Sequence, residues 1–314
     1  LVDGFVVSRG GDEAAMPDTS AAPAREAGGK AAPGIDRTAK MYVGGRQKRP
    51  DSGQSYAVRG PKGAVLGLAG LGNRKDIRNA VEAAAGASGW GRATGHNRAQ
   101  VIYYIAENLS ARAEEFTRRI ASLSGMGEAS AREEFERCIQ RTWYYAAMAD
   151  KYEGAVHDTP ARNVTLAMRE PLGVIGIVAP EEAGLLGFIS TVMPAIAMGN
   201  RVVVVPSQHY ALLATDFYQV LDTSDLPGGV INIVTGDPDV LADTLAKHLD
   251  VEGIWYWGSR GGSRMVETEA AESMKRSWVN YGLFHDWADP EQGQGEPFLR
   301  RAVEIKNIWI PYGA

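Results

Sequence analysis

Two adjacent carboxylates, Glu181 and Glu182, follow a continuous apolar run at residues 172–179. Paired carboxylates do general acid–base chemistry when one of them holds a proton and the other does not. Adjacent residues on a turn usually point in different directions, so the pair also fits a solvated turn without a catalytic role. The turn after a buried strand is where α/β proteins place ligands, and its side chains decide what chemistry is available.

The other groups with chemical potential are one cysteine, Cys138, and histidines at positions 96, 157, 209, 248 and 285. Cys138 falls in the middle of a predicted helix among apolar residues, where a thiol is usually inert packing. A single cysteine excludes an internal disulfide and is typical of a reducing compartment, so we predict a cytoplasmic location. The histidines show no close ligand spacing, so we predict no metal site.

Two glycine-containing segments raise the question of nucleotide binding. Gly258 and Ser259 begin a predicted helix, where backbone N–H groups are able to bind a pyrophosphate, and Arg260 follows them. Ser259 is equally typical of a plain helix cap. The other segment, residues 67–73 (GLAGLGN), does not complete the pattern G-x-G-x-x-G. We therefore predict a turn there, with Asn73 as the cap of the next helix.

These candidate residues lie on a regular alternation of strands and helices. Runs rich in β-branched residues predict strands at 172–179, 202–205, 229–234 and 253–257. Helical spacing of apolar residues predicts helices at 185–198, 209–221, 238–249 and from Ser259 to about 271. Buried strands joined by helices predict an α/β fold with a doubly wound parallel sheet and helices on both faces.

The N-terminal part is different in character. Residues 1–40 are rich in Ala, Gly, Pro and charge, which predicts a largely disordered linker. Short strands at 41–43 and within 55–68 precede an arm of three helices, predicted at 75–88, 97–123 and 130–153. Ser130 and Glu133 have the spacing of a capping box for the third helix.

Charge and hydropathy exclude two classes of partner. The formal net charge is -5, which gives no electrostatic reason to bind nucleic acid or an anionic membrane. Residues 183–200 carry no charge and reach the length of a membrane-spanning helix. They contain three glycines and Pro194, however, and a strand pattern follows at once, so we predict no membrane span.

Several segments, in order, resemble the cofactor-binding half of the aldehyde dehydrogenase superfamily. They are EPLGVIGIVAP (170–180), PAIAMGNRVVVVPS (194–207), DLPGGVINIVTGD (225–237), HLDVEGIWYWGS (248–259) and KRSWVNYG (275–282). The helical arm at 76–90 and 96–105 is similar to the superfamily's N-terminal region. The resemblance covers roughly residues 41–282 and implies a Rossmann-like cofactor domain.

The departures from this resemblance concern the residues that carry its chemistry. The superfamily's oxyanion-binding Asn, in Pro-Trp-Asn-Phe-Pro, is Glu182 here, and a carboxylate repels an oxyanion. The general-base Glu aligns with Asn280, which cannot take a proton. The two residues that contact the adenosine ribose are Val205 and Gln208 here. The resemblance therefore implies no tightly bound cofactor and at most weak NAD binding, with Gly258 and Ser259 as the remaining contacts.

After Gly282 the superfamily continues into a catalytic subdomain that carries the nucleophilic cysteine. Residues 283–314 contain no cysteine, and residues 303–313 look like the superfamily's final strand. In the superfamily this strand pairs with the one at 163–169 to form a small β oligomerisation flap. A retained flap without the catalytic subdomain resembles the non-catalytic C-terminal domain of the family-16 aldehyde dehydrogenases.

We therefore predict a degenerate, non-catalytic domain at residues 41–282, preceded by a linker and followed by a short connection and flap strand at 283–314. The expected partners are a second copy of the chain, bound through the flap, and an upstream catalytic aldehyde dehydrogenase domain. Two alternatives remain open. One is a fragment of an active aldehyde dehydrogenase or other oxidoreductase, and the other is a stand-alone dinucleotide-binding protein.

Overall fold

The computed structural model describes residues 36–160 and 162–312. The strands, in chain order, are β1 (Met41–Val43), β2 (Arg46–Lys48), β3 (Ser55–Arg59), β4 (Val65–Gly70), β5 (Ala155–His157), β6 (Asn163–Pro171), β7 (Val174–Val178), β8 (Arg201–Val205), β9 (Ile231–Ile233), β10 (Gly253–Tyr256), β11 (Arg276–Val279) and β12 (Val303–Pro311). The helices are α1 (Arg74–Gly86), α2 (Gly89–Arg92), α3 (Gly95–Ser110), α4 (Ala113–Ser124), α5 (Glu128–Lys151), α6 (Gly184–Ala197), α7 (Ala211–Asp216), α8 (Tyr218–Asp222), α9 (Pro238–Lys247), α10 (Arg260–Ala271), α11 (Pro290–Gly293) and α12 (Glu296–Arg301).

The main sheet has the strand order β11-β10-β7-β8-β9-β1-β2. The first five strands are parallel, and β1 and β2 extend the sheet antiparallel at one edge. Alternate residues of each central strand point to opposite faces: Ile175 and Ile177 pack with α6, and Val174 and Val178 pack on the other face with α1, α9 and α10. The predicted doubly wound α/β fold is confirmed.

Helix α6 explains why residues 183–200 carry no charge. Every residue from Leu185 to Ala197 is buried, because the helix runs between the sheet and the helical arm. Ala183 at its start has no side chain that is able to cap it, and Glu134 on α5 takes that role. One carboxylate oxygen of Glu134 accepts hydrogen bonds from the N–H groups of Leu185 (3.1 Å) and Leu186 (3.3 Å). Within the described residues, no helix is both long and apolar enough to cross a membrane.

The helical arm differs from the prediction in two places. The helix predicted at 97–123 is two helices, α3 and α4, because the chain turns at Ala111 and Arg112, where Arg112 forms an ion pair with Glu115 that stabilises the new helix start. The predicted capping box of Ser130 and Glu133 is wrong. Helix α5 begins two residues earlier, after Gly127, and Ser130 lies inside its first turn.

Three further predicted boundaries lie at Asn73, at residues 209–221 and at residue 40. Asn73 caps α1 as predicted and completes a capping box with Asp76. The helix predicted at 209–221 is instead the two short helices α7 and α8, which meet at Phe217. Before α7, the His209 ring contacts the carbonyl of Leu123. The predicted linker at 1–40 lies mostly outside the described residues, but its end is ordered: Ala39 forms a parallel bridge with Ala69 of β4.

The flap is a separate sheet with the order β12-β6-β5. β6 and β12 pair antiparallel over nine residues, from Asn163↔Pro311 to Pro171↔Val303, which confirms the predicted pairing of the final strand. The short strand β5 was not predicted. Between the main sheet and the flap, the connection from residue 283 to 302 contains α11 and α12, and α12 packs Phe298 and Leu299 into the core.

Candidate functional site

The crevice at the carboxyl ends of β7 and β10 is the position where parallel α/β sheets bind ligands. It has a volume of about 460 Å³. The turn after β7 contributes Glu181 and Glu182, the start of α9 contributes Asp237 and Asp239, and the end of β10 contributes Tyr256, Trp257, Gly258 and Ser259. The chain thus builds the expected crevice, and four of the candidate positions meet in it: Glu181, Glu182, Gly258 and Ser259.

The crevice is strongly acidic. Four of its lining residues are carboxylates, Glu181, Glu182, Asp237 and Asp239, and none is Lys or Arg. Asp237 is committed to capping α9, where its side chain accepts hydrogen bonds from Asp239 N–H and Val240 N–H. Glu181 and Glu182 are exposed. A dinucleotide brings two negative phosphates, so these residues do not fit the pyrophosphate that the family's cofactor would place here.

The start of α10 is already engaged in hydrogen bonds of its own. The Ser259 side chain accepts a hydrogen bond from Gly262 N–H at 2.9 Å, as a helix cap does. The Ser259 N–H donates to the hydroxyl of Tyr256 at 3.1 Å. Ser259 was a candidate both for a pyrophosphate contact and for a helix cap, and in the structure its side chain forms the hydrogen bond of a cap.

A tyrosine–aspartate pair, Tyr256 and Asp239, lies beneath this helix start. The Tyr256 hydroxyl donates a hydrogen bond to Asp239, and burial together with this bond raises the pKa of Tyr256 to about 12. The hydroxyl fills the space beside α10: a Cβ added at Gly262 would stand 1.9 Å from it. The pair therefore ties α9 to α10 and occupies part of the crevice.

Sequence reasoning missed this pair. The one signal for it was Tyr256 itself, which stands where the resembling segment of the superfamily has Phe. A hydroxyl on a buried ring needs a hydrogen-bond partner, but nothing local identifies Asp239, 17 residues earlier in the chain, as that partner.

The remaining predicted site residues lie away from the crevice lining. Val205 is fully buried at the end of β8, in the core on the face of the sheet that packs against α1, α9 and α10. Gln208 follows it in the chain and is half-buried. Asn280 uses its side chain to turn the chain: it accepts a hydrogen bond from Gly282 N–H and donates to the carbonyl of Leu283 (both 3.2 Å). None of these three side chains is placed to contact a ligand in the crevice.

Cys138 is part of the core and not of the crevice. It lies fully buried on α5, and burial raises the pKa of its thiol well above the ordinary value, with the nearby Glu134 charge adding to the effect. Because the thiolate is the nucleophilic form, a thiol in this environment is inert. Among the residues that the structure describes, no group of three His, Cys, Asp or Glu side chains is arranged to hold a metal ion.

The connection after Gly282 covers one wall of the core. Trp287 is buried and packs edge-on against Trp257, with ring centroids 4.7 Å apart. The buried guanidinium of Arg141 on α5 donates to the carbonyl of Trp287 at 2.8 Å. Gly295 N–H donates to the Tyr145 hydroxyl at 3.2 Å. The connection is thus a fixed part of the domain, held on α5 by side chains that reach it from the core.

These features define the class of protein: a Rossmann-like α/β domain with a parallel sheet, a crevice at the carboxyl ends of its strands and a β flap. The model of the aldehyde dehydrogenase family matches residues 48–283. That match covers most of the chain, and the chain belongs to the aldehyde dehydrogenase family.

The chain is similar to several proteins that are longer than it is. It is 32% identical over 228 residues to the hydroxyisobutyraldehyde dehydrogenase of Mycolicibacterium austroafricanum, covering 72% of this chain and 45% of that protein. It is 28% identical over 253 residues to the cytosolic 10-formyltetrahydrofolate dehydrogenase of Mus musculus, covering 77% and 28%. The crystal structure of an NAD-dependent aldehyde dehydrogenase from Sinorhizobium meliloti has a TM-score of 0.74 at 29% identity, covering 77% and 49%. The chain spans about half the length of these relatives, or less.

Proposed function

We propose that this chain is a non-catalytic aldehyde dehydrogenase domain that supports the assembly of a larger NAD-dependent aldehyde dehydrogenase. The observation that carries the proposal is the internal connection between Gly282 and β12. The resemblance requires a catalytic subdomain with a nucleophilic cysteine at this point, and the chain instead has a short segment whose Trp287 is packed into the core. The active cysteine would then belong to an upstream domain, as in the family-16 enzymes.

The side chains in the crevice support the same proposal. Acyl transfer through a thiolate needs a nucleophile, an oxyanion donor and a base within reach of one another. Glu182 occupies the donor position, Asn280 the base position, and the one cysteine is buried in α5. The four carboxylates in the crevice also disfavour the cofactor. We expect NAD binding to be weak, and we propose a cytoplasmic location from the single reduced cysteine.

The flap supplies the surface for assembly. Residues directly opposite each other in β6 and β12 share a face, so the register places six apolar residues on one face of the flap sheet. This apolar flap face consists of Val156, Val164, Leu166, Met168, Ile308 and Ile310. Four of its members are clearly exposed, from 37% for Val164 to 70% for Val156. Among the described residues, no strand pairs with the outer edge of β12. Exposed apolar faces and edges of this kind are typical of protein–protein contacts.

The assembly proposal is tested by measuring the mass of the purified chain in solution. We expect a concentration-dependent homodimer in sedimentation equilibrium. Ile310→Glu places a charge on the apolar flap face and is expected to weaken the dimer at least about tenfold, since burying one aliphatic side chain contributes about 1.5–3 kcal/mol.

The matched control for this variant is Leu249→Glu, which places the same charge on an exposed aliphatic residue that follows α9 and is not part of the apolar flap face. It is expected to leave the dimer unchanged. A monomer at all accessible concentrations, or equal effects of the two variants, would contradict assembly through the flap.

The two alternatives make different predictions for the same protein. A fragment of an active enzyme would oxidise aldehydes with NAD when supplied with its missing half. A stand-alone dinucleotide-binding protein is favoured by one observation, the open crevice next to Gly258 and Ser259. Calorimetry that gave tight binding of NAD to the isolated chain would support that alternative over ours.

A further inference from the structure

A second cavity, larger than the crevice, lies between the edge strand β11 and helix α12. It has a volume of about 630 Å³, within the range of small-molecule sites. Its walls include Trp255, Trp278, Arg276, Arg300, Arg301 and Glu296, and we call it the basic cavity. It exists because α12 turns Phe298 and Leu299 into the core and leaves its arginines on the outer side.

The charge of this cavity is opposite to that of the chain as a whole. Three guanidinium groups line it against one carboxylate, Glu296, in a protein of formal net charge -5. Arg276 is held at the rim, since it donates to the carbonyl of Val303 at 3.0 Å and lies 3.8 Å from the Glu304 carboxylate. Arg300 forms no ion pair with any residue of the described part of the chain.

Arg301 is the most constrained of the three arginines. Its guanidinium lies over the Trp278 ring at 4.5 Å from the centroid. Burial lowers the pKa of Arg301, and the neighbouring charge of Arg300 lowers it further, without a carboxylate that offsets the effect. The positive charges of Arg300 and Arg301 repel each other in the empty cavity. An anion that binds between the two guanidinium groups relieves this repulsion.

The walls between the arginines are aromatic and flat. Trp255 is almost fully buried and forms the floor, and Trp278 stands edge-on to it with ring centroids 5.2 Å apart. Indole surfaces of this kind contact planar apolar groups well and gain nothing from a bare inorganic ion. The combination of guanidinium and indole therefore selects for a ligand that has both an anionic and a flat apolar part.

We propose that the basic cavity binds a small organic anion, namely a carboxylate or phosphate ester that carries an aromatic or similarly flat group. The anionic part lies between Arg300 and Arg301, and the flat part lies against the partly exposed indole of Trp278, while the buried Trp255 closes the floor. The site is separate from the crevice at the carboxyl ends of the strands and shares no lining residue with it.

The test is titration calorimetry of the full chain with phenyl phosphate, inorganic phosphate, benzyl alcohol and a hexaglutamate peptide. We expect saturable binding of phenyl phosphate with one site per chain and a dissociation constant of about 1 mM or tighter. Inorganic phosphate, which lacks the ring, and benzyl alcohol, which lacks the charge, are each expected to bind at least about tenfold more weakly.

The variants locate the site. Arg300→Gln is expected to weaken phenyl phosphate binding about tenfold, as one charge-assisted contact is lost. Arg300 has no structural hydrogen bond or ion pair in the described chain, so this variant tests binding without disturbing the fold. Glu296→Gln removes the one opposing charge and is expected to strengthen binding. The matched control is Arg118→Gln, which changes an exposed arginine on α4 that does not line the basic cavity. It is expected to have no effect.

Three results would overturn the proposal. The first is the absence of saturable phenyl phosphate binding to the folded chain. The second is binding that Arg300→Gln and Arg118→Gln affect equally, which would place the ligand elsewhere. The third is tight binding of hexaglutamate without binding of phenyl phosphate, which would make the cavity part of a surface for acidic protein segments.

Discussion

At the scale of single residues, Glu182 and Tyr256 determine the charge and the shape of the crevice. Glu182 puts a carboxylate where the resemblance requires an amide donor, and Tyr256 fills the space beneath α10 through its bond to Asp239. Together with Glu181, Asp237 and Asp239, the Glu182 carboxylate makes the crevice negative, and no Lys or Arg lines it. We therefore propose that the crevice, which lies where α/β sheets bind ligands, has low complementarity to phosphate.

The first residue-scale prediction concerns this charge. Glu181→Gln combined with Glu182→Gln removes two exposed carboxylates from the crevice, so the affinity for NAD is expected to rise about fivefold at low salt, because each exposed charge contributes up to about 1 kcal/mol. Titration calorimetry measures the change. Glu107→Gln combined with Glu136→Gln removes the same charge from α3 and α5 and should leave the affinity as it is. Equal gains in both double variants would show that net charge alone acts.

The second residue-scale prediction concerns Glu134, the cap of α6. Burial raises the pKa of its carboxyl above the ordinary 4.5, against opposing hydrogen bonds from Leu186 and Leu185. A carboxyl with a raised folded-state pKa contributes stability that is fully present below its unfolded pKa and is lost as the pH rises through the folded value. Relative to Glu134→Gln, which keeps an acceptor for α6, the wild type should therefore lose unfolding free energy as the pH rises from about 4 toward neutrality.

Urea denaturation at a series of pH values measures this difference. Glu136→Gln, which removes an exposed carboxylate from the same helix, controls for net charge. A stability difference between wild type and Glu134→Gln that stays constant with pH, or that grows in favour of the wild type as pH rises, would contradict the account of this cap.

The elements show what a sequence reveals and what it leaves out. The parallel sheet was predictable because β7 and residues 202–205 of β8 are short runs rich in β-branched residues, the pattern of strands that are buried on both faces. The break between α3 and α4 was not, because the apolar stripe continues across Arg112 and the turn at Ala111 and Arg112 contains neither Gly nor Pro. Likewise, Glu134 and the start of α6 are about 50 residues apart, and no local pattern links them.

The connection between β11 and β12 carries the element-scale prediction. Trp287→Ala removes a buried ring that packs on Trp257 and leaves a cavity, so the free energy of unfolding is expected to fall by about 3–5 kcal/mol. Phe284→Ala truncates an aromatic residue of the same connection that is 82% exposed and should cost less than about 1 kcal/mol. Urea denaturation followed by circular dichroism compares the two. Similar small losses in both would mean that the connection is only a loose tether.

At the scale of the whole molecule, the described residues combine a parallel sheet of the cofactor-domain type with a flap, and α11 and α12 connect β11 of the sheet to β12 of the flap. The chain spans about half the length of the relatives that it matches. Its flap presents an apolar face and a strand edge with which no described strand pairs. The alternating apolar residues predicted two half-exposed strands, and their pairing was predicted from the resemblance to the superfamily's final strand. The exposure of the resulting face follows only from the register, because a shift by one residue would exchange the two faces.

The proposal that this domain is non-catalytic is tested most directly by an assay of aldehyde oxidation with the purified full chain. With NAD and propanal, the absorbance of NADH should stay at the level of the buffer, and Cys138→Ser should be indistinguishable from the wild type. An active member of the aldehyde dehydrogenase family serves as positive control. NADH formation that rises in proportion to the chain concentration and is lost in Cys138→Ser would contradict the claim that this domain is non-catalytic.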